Sequence, residues 1–179
     1  MRSVLVAAAA AALLATPAAT AELDPRALVL NQVDVPAGFR PDPKESGIRS
    51  NAGGAEATAA MRALFARSGR VTGYEAAFGR RTAFVRSRAD LFRRPGGAAM
   101  VLEWFEAEMR KGGIKGLRRA RADIGAESWI YWSGTPFSLT LVGWRYDRVF
   151  AGVVGFGITK ERALALGRAQ QRRIAASLQ

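Results

Sequence analysis

The sequence contains no cysteine and no histidine. Without thiols there is no disulfide framework, no acceptor for a lipid anchor and no thiol redox chemistry, so a core of apolar side chains has to hold the fold unaided. Without imidazole, Ser-His-Asp and Cys-His nucleophile systems fall away, as do the usual zinc and haem ligand sets. No serine stands three residues before a lysine, which removes the common Ser-Lys acyl-transfer motif as well. No metal and no cofactor is therefore expected. Acidic residues are scarce, 15 against 27 lysines and arginines, and the formal charge is +12.

The first residues carry an apolar block with a leader pattern. Arg2 supplies a positive start, Val4 to Leu14 is an apolar block, Pro17 interrupts it, and Ala19-Thr20-Ala21 offers the small residues of a signal-peptidase site. We read 1–21 as a secretory signal peptide and 22–179 as a single α+β domain, with 22–54 a loop-rich N-terminal segment. The Val and Leu block is too short to span the roughly 30 Å of a bilayer core, and no later window reaches transmembrane length. The expected location is outside the cytoplasm, either secreted or in the periplasm or cell wall.

Nearly all the positive charge is arginine, with lysine only at 44, 111, 115 and 160. A GC-rich coding bias would give the same excess of Arg, Ala and Gly, so the charge has two readings. As a functional feature of an exported chain, it fits anionic lipid heads or cell-wall polymers better than nucleic acid.

The organising stretch is Phe137 to Thr159, which reads as a long β-hairpin turning at Arg145 to Arg148. Phe137, Leu139 and Leu141 share one face of its first arm, and Thr140, Val142 and Trp144 the other. In the second arm Phe150, Val154, Phe156 and Ile158 oppose Val149, Ala151 and Val153. Apolar groups on both faces place these strands inside a sheet that helices cover on at least one side.

Upstream, Asp24-Pro25 opens a short helix to Leu30, and Pro41 to Gly54 has a solvated loop composition. Asn51 is the candidate cap of a helix carrying Ala57, Met61, Leu64 and Phe65, which Gly69 stops. Val71 to Phe78 and Thr82 to Leu91 form a hairpin around Gly79-Arg80-Arg81; Pro95-Gly96-Gly97 ends it, and a helix follows from Ala98 to Lys111. Lys115 to Arg121 reads as an edge strand or extended loop. Glu127 to Ser133 is a strand with Trp129 and Tyr131 on one face and Ile130 and Trp132 on the other. Thr159 caps a last helix whose inward residues are Ala163, Leu166, Ile174 and Leu178. A hairpin followed by a helix thus occurs twice. The expected fold is α+β, in two layers, with a mainly antiparallel sheet packed against helices.

Candidate chemistry is sparse. Gly155 to Lys160 joins a strand to a helix like a phosphate loop, but it lacks the Walker spacing and the third glycine of the dinucleotide fingerprint, and reads as a tight junction. Glu103 and Glu106 share a helix face with Arg110 beside them, the pattern of a solvated surface. Glu127 is the one acid placed for a carboxylate-dependent hydrolase acting on an envelope polymer. The aromatic residues Trp129, Tyr131, Trp132 and Trp144 either fill the core or line an apolar groove rimmed by arginine, with Arg118, Arg119 and Arg121 the nearest basic run. On the edge strand those same charges also discourage strand-to-strand aggregation.

The stretches DVPAGF, IGAESW and GWRYDRVFAGVVGFGITKERALALGRAQQRRI resemble small exported α+β proteins and lipoproteins of actinobacteria and, more loosely, the extracytoplasmic sensor domains of mycobacterial serine/threonine kinases. That resemblance implies a non-catalytic, extracytoplasmic role in binding a ligand or partner. The lipobox or paired cysteines common in such proteins are missing here. The function expected from the sequence is an exported binding module for an anionic or amphipathic envelope component, be it lipid, wall polymer or an envelope protein. The hydrolase is the alternative, and an assembly scaffold a third reading.

Overall fold

The computed structural model describes residues 23–49, 58–112, 116–134 and 139–179. The signal-peptide reading of 1–21, Asn51 as a helix cap, and Lys115 and Phe137 all lie outside these residues. A 3-10 turn at Pro25–Leu28 is followed by β1 (Arg40–Pro41), β2 (Gly47–Ile48), α1 (Ala59–Ser68), β3 (Arg70–Arg80), β4 (Ala83–Phe92), α2 (Pro95–Lys111), β5 (Leu117–Ala120), β6 (Glu127–Ser133), β7 (Leu139–Tyr146), β8 (Val149–Phe156) and α3 (Lys160–Ser177). The strands form one antiparallel sheet ordered β1-β3-β4-β8-β7-β6-β5, with β2 also on β3. This is the expected α+β fold, and the hairpin-helix unit occurs twice, as β3-β4-α2 and β7-β8-α3.

Local signals explain most boundaries. The Thr58 side chain accepts from the Met61 N–H to start α1, and Gly69, at φ +67°, ends it in the left-handed conformation that favours glycine. Thr159 caps α3 by accepting from the Arg162 N–H. Three expectations need correction. Proline opens α2 at its first position instead of ending the preceding strand, so the helix starts at Pro95, not Ala98. Gly97 is what lets that turn sit on the end of α1, since a Cβ there would lie 2.1 Å from the Ser68 carbonyl. Ile158 leaves the face of Phe156: Gly157, at φ +71°, swings it back against Gly155 and into the core under α3. The segment from Pro41 is not all loop, because β1 and β2 extend the sheet along β3.

Each face of the sheet has its own core. Against one face pack α3 and the N-terminal turn, around Leu28, Val85, Val142, Trp144, Val153, Leu166 and Ile174. Against the other pack α1 and α2, around Phe65, Phe92, Val101, Leu102, Trp129 and Phe150. Gln170 of α3, fully buried, ties the first core together: its amide donates to the carbonyls of Leu28 (3.1 Å) and Arg88 (2.9 Å), and its oxygen accepts from Ser87 Oγ at 2.8 Å. Among the described residues no helix is long and apolar enough to cross a membrane.

Candidate functional site

Alternation along the strands decides which side chains meet. On the face carrying α2, antiparallel register lines up Arg88 of β4, Gly152 of β8, Gly143 of β7 and Trp129 of β6 in one row across the sheet. At about 4.8 Å between strands, the row is about 14 Å long. In the row on one side, Phe105 of α2 stacks on Phe150, with ring centroids 5.2 Å apart and planes within 2°. There the helix cover stops. Beyond the glycines lie Val154, Leu141 and Phe84, all half-buried, and Phe84 stacks on Phe156 at 5.8 Å.

The result is a trough of about 250 Å³, lined by apolar side chains with Glu75, Arg86 and Arg88 along one edge. Two glycines make its floor. A Cβ on Gly143 would fall 2.5 Å from the Trp129 indole, so the ring lies directly against that backbone. Gly152 is different: a Cβ there meets only the Val142 carbonyl, at 3.3 Å, and otherwise points into the trough. Trp129 is buried, and its indole N–H has no hydrogen-bond partner among the described residues. Replacing Gly143 by alanine is expected to force the indole off its seat, at a cost of about 1–3 kcal/mol. A red shift in tryptophan emission, missing in the Trp129→Phe background, would report it; an unchanged spectrum would refute the packing.

Charge on the trough edge is organised by two networks. Asp90, fully buried, accepts from Arg70 Nε and from Arg88 Nε, both at 2.8 Å. Burial pushes Arg70 below its ordinary pKa, against the upward pull of Asp90. Arg86 reaches Glu45 at 2.6 Å and Glu75 at 3.7 Å, and Glu75 also holds Arg49 at 3.0 Å. The second network is neutral. The first sets two guanidiniums against one carboxylate.

The residues singled out in the sequence do not form one site. Trp144 is fully buried under α3 and donates to Gln171 Oε1 at 2.8 Å, so it fills the core. Trp132, half-buried on that same face, lies under Lys160, whose ammonium is 4.0 Å from the ring centroid. Tyr131 and Trp129 share the α2 face and meet edge to face at 5.3 Å. Arg118, Arg119 and Arg121 stand on and beside the edge strand β5, away from the trough: Arg119 binds Glu106 of α2, and Arg121 pairs with Asp123 at 3.2 Å on the surface. The trough arginines instead come from β4. Their signal in the sequence was the alternation of Arg86, Arg88 and Asp90 with apolar neighbours.

Behind Trp129 a second, polar cleft of about 400 Å³ is lined by Glu103, Glu106, Glu127, Arg119 and Arg121. Burial pushes the Glu106 carboxyl upward, but hydrogen bonds from Arg119 and Arg110 outweigh it and hold the carboxyl below its ordinary range. Glu127 is lowered by its hydrogen bond from Arg145, at 2.8 Å. Both are ionised at neutral pH, so neither supplies the protonated acid that a carboxylate pair needs.

No protein-family model matches the sequence, and no curated protein sequence matches it. Among solved structures it is similar to the extracellular domain of PknH from Mycobacterium tuberculosis, with a TM-score of 0.55, 13% identity, and coverage of 86% of this chain and 94% of that one. The likeness to an extracytoplasmic domain of a mycobacterial kinase, expected from the sequence, holds at the level of the fold.

Proposed function

We propose that this chain is an extracytoplasmic, non-catalytic binding module whose ligand seat is the glycine-floored trough. The observation that carries the reading is the row Arg88, Gly152, Gly143, Trp129: an apolar slot built inside a sheet, with guanidinium at one end and an indole at the other. Gly143 is accounted for by the indole that packs on it, but a large side chain at Gly152 would close the row and glycine in a strand interior weakens the strand, so Gly152 calls for a reason beyond stability. The leader-like first 21 residues and the likeness to an extracellular domain support a location outside the cytoplasm. Within the envelope the fitting ligands are small amphipathic components. The hydrolase reading is disfavoured by the arginine-held state of Glu127.

The seat is tested with N-phenylnaphthylamine, a neutral dye that fluoresces in apolar pockets. The wild-type protein is expected to bind it saturably, with energy transfer from tryptophan. Gly152→Leu, whose Cβ meets only the Val142 carbonyl, at 3.3 Å, and whose remaining atoms enter the trough, should cut the affinity by about tenfold or more while leaving the circular dichroism spectrum unchanged. No binding by the wild type, or equal binding by the variant, would remove the trough as the seat.

A further inference from the structure

We infer that the trough takes a single-chain carboxylate, a medium-chain fatty acid, with its head at Arg88 and its chain running over Gly152 against the Trp129 indole that covers Gly143. This rests on the trough being the ligand seat. The head is assigned by charge. Arg70 and Arg88 share the Asp90 carboxylate, while Glu75, opposite Arg88 in the register, is paired with Arg49 and Arg86; Arg70 and Asp90 are sealed from solvent, and the Arg88 side chain is 21% exposed. Among the described residues only Nε of Arg88 is hydrogen-bonded, to Asp90, which leaves its terminal NH₂ groups at the trough edge for an acceptor. One surplus positive charge matches a monoanion. A phosphate dianion would meet the Glu75 carboxylate on that same edge.

The chain is assigned by shape. Apart from Glu75, Arg86 and Arg88 no charged group lines the trough, and the row ends at the Trp129 indole with Leu141 beside it on β7. A volume of about 250 Å³ equals about eight waters at roughly 30 Å³ each, and a methylene is close to a water in size. A chain of about eight to ten carbons therefore matches the volume of the trough. A diacyl lipid does not fit this volume.

The experiment is calorimetry on the full chain with decanoate below its micelle concentration, decanol, decylammonium and butyrate, alongside displacement of N-phenylnaphthylamine. Decanoate is expected to bind one to one, about tenfold or more tighter than decanol, with decylammonium and butyrate weaker than either. Arg88→Gln should bring decanoate and decanol to within about twofold of each other. Gly152→Leu should abolish decanoate binding with its melting temperature retained, which keeps the test open if Arg88→Gln fails to fold. Decanol equal to decanoate in the wild type, or a preference for decylammonium, overturns the carboxylate head. A dye that binds in the trough but is not displaced by decanoate overturns the fatty acid and leaves the seat standing, whereas failure of both dye and decanoate removes both.

Discussion

Asp90→Ala is expected to lower the unfolding free energy by about 3–5 kcal/mol, because it strands a guanidinium where water cannot reach. Arg70 and Asp90 side chains are fully buried, and Arg70 lies over the Phe65 ring at 4.6 Å. The backbone closes over the pair at Gly73, where a Cβ would sit 2.2 Å from Asp90 Oδ1 and 2.3 Å from Arg70 Nη2. No side chain larger than hydrogen leaves room for the ion pair. Arg88, partly exposed, can turn to solvent when the carboxylate goes; Arg70 cannot. The asymmetry predicts the outcome of the double replacement: Arg70→Met with Asp90→Leu should recover much of what Asp90→Ala loses, since the buried charge goes with its partner. Urea unfolding followed by tryptophan fluorescence measures all of these, and Asp90→Ala within 1 kcal/mol of wild type would show that Arg70 is not sealed in. The same double variant removes the acid that orients Arg88, so it should also erode the preference for an anionic ligand.

The strands were legible because their period of two is unambiguous: β6 runs from Glu127 to Ser133 as the alternation of Trp129 and Tyr131 with Ile130 and Trp132 requires. Helix ends marked by Thr159 and Gly69 were legible for the same kind of local reason. Pro95 was not, since a proline that ends a strand and one that opens a helix look alike until Gly97 is seen against the Ser68 carbonyl. The candidate site needed register. Gly143 and Gly152 meet only because the β7–β8 turn sits at Asp147 and Arg148, pairing Tyr146 with Val149. The arginines of β4 alternate with Val85, Ser87 and Ala89, a pattern that any strand with one solvated side gives. Only the end of helix cover at Phe105 turns that side into a wall of the trough. The tryptophans separated for a related reason: residues on successive strands share a face by register, not by nearness in sequence, and so Trp129 and Trp144 fell to opposite cores.

Gln170→Leu should cost about 2–4 kcal/mol although leucine nearly matches the side chain it replaces. The amide is fully buried and every one of its bonds is to a distant part of the chain: the carbonyl of Leu28 in the N-terminal turn, the carbonyl of Arg88 in β4, and the hydroxyl of Ser87. Ser87 Oγ in turn accepts from the Leu30 N–H at 3.0 Å, so one side chain holds α3, β4 and the N-terminal segment in a single network. Leucine gains apolar contact but leaves the Ser87 hydroxyl and two carbonyls short of a partner inside the core, and each such orphan costs about 1–3 kcal/mol before carbonyls with a second partner are discounted. Adding Ser87→Ala should then cost less than its own effect in the wild type, because the hydroxyl that Gln170→Leu orphans is gone. Hydrogen exchange gives the spatial readout: protection should fall first in 28–30, while β7 and β8 at the sheet centre keep theirs. Strict additivity of the two substitutions, or a Gln170→Leu protein as stable as wild type, would mean that the amide is a passenger and that apolar packing alone joins the N-terminal segment to the sheet.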